Sequence, residues 1–185
     1  MQIIFRIIMK WLPLAIATAG LCALVYLTVQ QSLRMGANDP QIQMAEDAAS
    51  QLNTGMSMDS VVPSAKVEIS ESLAPFLMVF DQSGKTLASS ATLHGVLPVY
   101  PVGVLDYARQ NGQNRVTWQP EAGVRMATVV VSYKSGFVMA GRSLTEVEKR
   151  TSQVERLSGL AMLGIWAATL IVIIPGVLLG RQKSA

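Results

Sequence analysis

Two charge-free apolar stretches, Trp11 to Leu33 and Leu157 to Gly180, bracket this chain, and all twelve acidic residues fall between Asp39 and Glu155. A helix needs about 20 apolar residues to cross ~30 Å of hydrocarbon, and both stretches meet that length. The pattern predicts a small polar domain held between two membrane anchors. The expected partition is an N-terminal segment (1–10), a first span (11–33), a domain (34–142), an exit helix (143–158), a second span (159–180) and a tail (181–185). The lipid bilayer is the first partner implied.

Charge sets the expected orientation. Outside the interval from Arg34 to Arg156 the charged residues are Arg6, Lys10, Arg181 and Lys183, all basic. The interval holds eleven basic residues against twelve acids, so the formal net charge of +3 is concentrated at the two ends. Short loops that keep Lys and Arg beside a span face the cytoplasm. Both termini are therefore expected to be cytoplasmic and the domain extracytoplasmic, in a two-span protein of the cell membrane. Nucleic-acid binding is not expected, because the excess basic charge sits at membrane edges, where it suits anionic headgroups.

The first stretch reads as a retained anchor. It exceeds the roughly 7–15 residues of a signal-peptide core, and its exit, Val29 to Met35, offers no small-x-small cleavage pattern. Cys22, the one cysteine, lies inside this span and is expected to face lipid or the other helix. The domain must then rely on its own packed core rather than on disulfides.

Within the domain, Asp39-Pro40 suits a helix start, and Ile42, Ala45, Ala49 and Leu52 fall on one helical face. Gly55 is placed to end that helix. Met56 to Pro63 shows no period, and Val67 to Ser70 alternates weakly. Phe76 to Phe80 is a continuous apolar run, expected for a strand buried on both faces. Asp81-Gln82-Ser83-Gly84 makes a turn, and Lys85 to Ser90 returns as a strand. A loop rich in Gly and Pro leads to a short helix, Val104 to Gln110. Three strands follow, at 114–119, 124–134 and 136–142, joined by turns short enough to force antiparallel pairing. Ser143-Leu144-Thr145-Glu146 fits a capping box. Val147, Thr151, Val154 and Ser158 then form a heptad-type seam. A near-continuous helix of roughly 55 Å is expected from Ser143 to Gly180.

This order of elements resembles an extracytoplasmic PAS-like or single Cache sensor domain. Val79-Phe80-Asp81-Gln82-Ser83-Gly84-Lys85-Thr86-Leu87-Ala88 is similar to the first hairpin of that family, and the helix after Arg142 is similar to its exit helix. The resemblance implies an α+β fold: a PAS-like antiparallel sheet with flanking helices, held between two transmembrane helices. Such modules form the input half of bacterial histidine kinases, diguanylate cyclases and chemoreceptors. After Gly180 the sequence continues only through Arg181-Gln182-Lys183-Ser184-Ala185, with no HAMP segment, phosphoacceptor helix or nucleotide-binding domain. The expectation is a sensor-like binding module acting through a homodimer or a membrane signalling partner, and not an enzyme.

In PAS-like folds a ligand sits on the concave side of the sheet. The resemblance therefore implies a small-molecule pocket among Tyr100, Asp106, Tyr107, Arg109, Trp118, Arg125 and Tyr133. The competing assignment is core or surface strand for Trp118 and Tyr133, and solvated helix for Arg109. Sequence patterns for serine hydrolases, P-loops and zinc proteases are missing. His94, the one histidine, sits in the Gly- and Pro-rich loop and is expected to be solvated. No metal or cofactor is expected. In the spans, Ala15, Ala19 and Ala23 repeat every fourth residue and Gly176 and Gly180 form a GxxxG, the spacing of close helix packing. The second functional expectation is a structural protein of the envelope that docks a partner on an empty PAS-like scaffold.

Overall fold

The computed structural model describes residues 2–182. The chain folds into two compact units: the two chain ends (residues up to 32 and from 149 onward), and residues 33–148. The elements in order are α1 (Gln2–Asn53), α2 (Met58–Val61), β1 (Val67–Glu68), β2 (Phe76–Asp81), β3 (Thr86–Ser89), β4 (Ala91–Thr92), α3 (Val102–Asn111), β5 (Gln113–Glu121), β6 (Val124–Tyr133), β7 (Gly136–Ser143) and α4 (Thr145–Gln182).

The second unit is mixed α and β. Its main sheet is five-stranded and antiparallel, in the order β3-β2-β7-β6-β5. Strand alternation divides its core between two faces. Phe76, Met78 and Phe80 of β2 join Phe137 and Met139 of β7 on one face, beneath Leu105 and Ala108 of α3. Leu77, Val79, Val138 and Ala140 point the other way, toward Ala45, Ala48 and Ala49 of α1 and Val61 of α2. Phe76, Phe80 and Phe137 are fully buried. At about 1.5–3 kcal/mol each, they outweigh the roughly 2–4 kcal/mol a disulfide supplies.

Local chemistry explains the turns. Asp81 Oδ1 accepts from the Ser83 amide at 2.8 Å, the Lys85 amide at 2.9 Å and the Ser83 hydroxyl at 2.6 Å. Gly84 supplies the left-handed φ of 86°. These bonds, the Ser83 hydroxyl foremost, hold the Asp81 carboxyl below its usual range. Gly136 has a different role. A Cβ there would lie 1.9 Å from the Phe80 carbonyl oxygen, so β7 approaches β2 at a distance only glycine allows.

Several boundaries differ from expectation. No helix starts at Asp39-Pro40; α1 runs through both. Pro40 removes one backbone hydrogen bond, but the Ala45–Ala49 face is anchored on the sheet and the helix continues. It does end at the expected place: the Gly55 amide donates to Leu52 O and the Met56 amide to Gln51 O, both at 3.1 Å, with Gly55 at φ 92°. That is a Schellman cap. Residues 58–61, which lack a period, form one helical turn, with Ser60 Oγ donating back to Ser57 O. The weak strand at 67–68 pairs in parallel with β4, through Val67 N to Ser90 O and Ile69 N to Thr92 O. Helix α4 starts one residue later than a Ser143 cap implies, because Ser143 is still held in β7 opposite Met126.

Helices α1 and α4 carry the two segments long and apolar enough to span a membrane, Ile3–Leu33 and Thr145–Leu179, with mean hydropathy 2.0 and 2.4 in their most apolar windows. Only 6 % and 0 % of those windows are buried, so neither is the core helix of a folded domain.

Candidate functional site

On the face beneath α3, two of the sequence-derived pocket residues come together. The Tyr100 ring lies 5.1 Å from Trp118, edge on, and 5.8 Å from Phe80. Its hydroxyl is 2.8 Å from Thr128 Oγ1, which donates to Val116 O. Burial pushes the Tyr100 phenol up to about 12. The aromatic groups fill this face with side chains. Arg109 sits at its rim on α3, with its guanidinium 5.1 Å from the centre of the Phe137 ring. It donates to Gln82 O at 2.7 Å and to Asp106 at 2.5 Å, tying α3 to the β2–β3 turn. Tyr107 is exposed.

Arg125 and Tyr133 do not join this group. Both are odd-numbered residues of β6, and Tyr133 packs with Val129 and Val138 on the opposite face. Burial raises the Tyr133 phenol, and its hydroxyl has no partner among the described residues. Arg125 forms an ion pair with Glu148 in the first turn of α4. The Leu144 amide donates to Arg125 O at 2.9 Å. Arg125 of β6 thus holds the entry to α4 with both its side chain and its backbone.

A groove of about 500 Å³ runs along the edge strand β3. Asp59, Val62, Pro63 and Ser64 form one wall, and Leu87, Ala88 and Leu97 the other. Lys66 also lines it and donates to Ser89 O at 2.5 Å. Leu87 and Leu97 are about half exposed, at 45 % and 50 %. Nothing in the sequence marks this groove, because its walls are brought together by the parallel pairing of β1 with β4.

The polar centre of the domain lies beside it. Glu68 accepts from the His94 amide at 2.9 Å, the Gly95 amide at 3.0 Å and the Ser70 hydroxyl at 2.7 Å. These bonds, that from Gly95 foremost, lower its carboxyl to about 2. His94 and Gly95 have φ of 53° and 75°, and Leu93 and Val96 exchange backbone hydrogen bonds across them. This is a two-residue hairpin turn of the primed kind, with both amides turned onto one carboxylate. The His94 ring is exposed and lies 2.9 Å from Glu121. That hydrogen bond and the Glu121 charge raise its pKa.

In the unit of chain ends, α1 and α4 pair antiparallel. The Trp11 indole donates to Thr169 and the Trp166 indole to Thr18, both at 3.0 Å. Ala15 is buried and Ala19 half-buried along this seam, and Ala23 lines a notch beside it. Val147, Thr151, Val154 and Ser158, the heptad-type seam read from the sequence, are each half-buried on α4. Gly176 faces open space, and the surroundings of Gly180 lie outside the described residues. The notch, about 210 Å³, is lined by Ala19, Cys22, Ala23 and Tyr26 on α1 and by Glu155, Ser158, Gly159 and Met162 on α4. No family model, curated protein or solved structure matches this chain.

Proposed function

We propose that this chain is a membrane-anchored, extracytoplasmic sensor-like module of PAS or Cache type, which acts through a partner and has no catalysis of its own. The observation that carries this reading is the passage from sheet to helix. β7 becomes α4 through Leu144, and Arg125 holds this junction, with its carbonyl on the Leu144 amide and its guanidinium on Glu148 in the first turn of α4. A change in the sheet is thereby felt by α4, the element a partner would read. A ligand can drive that only by binding two arrangements with different affinity. The element order that resembles PAS-like domains, a helix and hairpin followed by a helix and three antiparallel strands, supports the same reading. Because Tyr100 and Trp118 fill the face beneath α3, the ligand site is assigned to the groove along β3. The test is thermal unfolding of the full chain in nanodiscs against a metabolite library. Stabilisation by a compound, lost when Ser64→Trp fills the groove, supports the reading; a hit indifferent to Ser64→Trp removes the groove from it.

The second reading, a docking scaffold, is favoured by that same filled face and by the exposed Val96, Leu97, Val99 and Val102, the third of these 88 % exposed. It predicts a stable envelope partner that co-purifies with the chain and is released by Val99→Asp.

A further inference from the structure

We infer that the notch between α1 and α4 holds a membrane lipid with a primary ammonium headgroup. The inference rests on reading these helices as membrane spans. The two walls of the notch change character in step along the antiparallel pair. Tyr26 stands with Glu155 at one end, Cys22 with Ser158 and Gly159 in the middle, and Ala19 with Met162 at the other. The apolar run of α1 continues from Tyr26 to Leu33, while the charge-free stretch of α4 begins only at Leu157, so the exposed Glu155 carboxylate stands at the edge of the apolar stretch of α4, beside the apolar stretch of α1. The Glu155 carboxylate and the Tyr26 and Ser158 hydroxyls have no partner among the described residues. A carboxylate held at the edge of an apolar stretch, where lipid headgroups lie, favours a counter-charge from a headgroup. An ammonium group supplies that charge, and its three N–H donors match one carboxylate and two hydroxyls. The methylene chain follows the small residues Ala19 and Gly159 and the flexible side chain of Met162. The gradient also orients the lipid, with its head toward the Leu33 end of α1 and its chain toward mid-membrane. A trimethylammonium head has no N–H to donate, so phosphatidylethanolamine is favoured over phosphatidylcholine, and anionic phosphatidylglycerol is disfavoured.

The full chain in nanodiscs, photolabelled with diazirine-chain lipids that differ only in headgroup, tests this. Phosphatidylethanolamine is expected to label the peptides carrying Cys22, Tyr26 and Met162 about tenfold more than phosphatidylcholine or phosphatidylglycerol, the size of one charge-assisted hydrogen bond. Glu155→Gln should erase the preference while labelling elsewhere on the helices stays the same. Tyr26→Phe, which keeps the ring, should reduce the preference, and it serves as the probe if Glu155→Gln fails to fold. Equal labelling by the three lipids, or a preference that survives both substitutions, overturns the inference and leaves the membrane reading intact. A chain that is extracted from native membranes by alkaline carbonate overturns both.

Discussion

Trp11 and Trp166 meet edge to face, with ring centres 5.6 Å apart, and each indole N–H ends on a threonine of the opposite helix. Two apolar helices in lipid gain little from burying apolar surface against each other, so packing and polar contacts of this kind decide whether they pair. The cluster marks the contact between the two helices at the level of Trp11, whereas Gly176 faces open space.

Removing the Trp166 hydrogen bond while keeping an aromatic ring should loosen the pair modestly. Trp166→Phe is expected to cost about 1 kcal/mol, in the range of interhelical hydrogen bonds and aromatic pairs. Thr18→Ala, added to it, should cost less than it does alone, because both remove the same bond. Reversible unfolding in bicelles, run as a double-mutant cycle, measures that coupling.

Gly136→Ala should be among the most damaging small substitutions in the domain. The added methyl would collide with the Phe80 carbonyl, 1.9 Å away, at the start of the central strand β7, and β2 and β7 must separate there to admit it. The expected loss is about 3 kcal/mol or more. Gly55→Ala meets no atom within 4 Å and strains only its φ of 92°; it should cost about 1 kcal/mol. Urea denaturation of the two variants gives the comparison.

The polar centre gives the domain a pH signature with two opposite limbs. Glu68 is lowered from 4.5 to about 2, so its contribution is present above pH 4.5 and disappears as pH falls through about 2. His94 is raised from 6.5, so its contribution is complete below pH 6.5 and fades as pH rises through the raised value. The stabilising window common to both lies between those limits. Because the chain has one histidine, a single imidazole NMR titration reads His94 directly. Its pKa should fall toward 6.5 in Glu121→Gln, and Glu68→Gln should remove the acid limb.

Gln41 is 1 % exposed, and neither its Nε2 nor its Oε1 has a partner among the described residues. A buried amide without partners costs roughly 1–3 kcal/mol. Gln41→Leu is therefore expected to raise stability by about 1 kcal/mol, observed as a higher urea midpoint with an unchanged slope.

Strand identity was legible in the sequence wherever burial set the pattern. Phe76 to Phe80 reads as a two-faced strand because both faces of β2 are covered, and Gly55 and Gly84 mark turns because each needs a left-handed φ. The groove and the Glu68 centre were not legible, since they join residues more than twenty positions apart that share no period. The pocket expectation shows a finer limit. The parity of Arg125 and Tyr133 in β6 is plain from sequence, but not which face of β6 meets α3. That depends on the register of β6 with β7. Asp39-Pro40 reads as a helix start by local propensity, and anchorage of the following turns on the sheet overrides it.

The proposed export of residues 34–142 between two spans is tested most directly by cysteine accessibility. In a Cys22→Ala background, Ser83→Cys is placed in the exposed turn after β2 and Gln2→Cys at the start of α1. A membrane-impermeant maleimide applied to intact spheroplasts should label Ser83→Cys and reach Gln2→Cys only after lysis. Labelling of Gln2→Cys from outside, with Ser83→Cys protected until lysis, contradicts it.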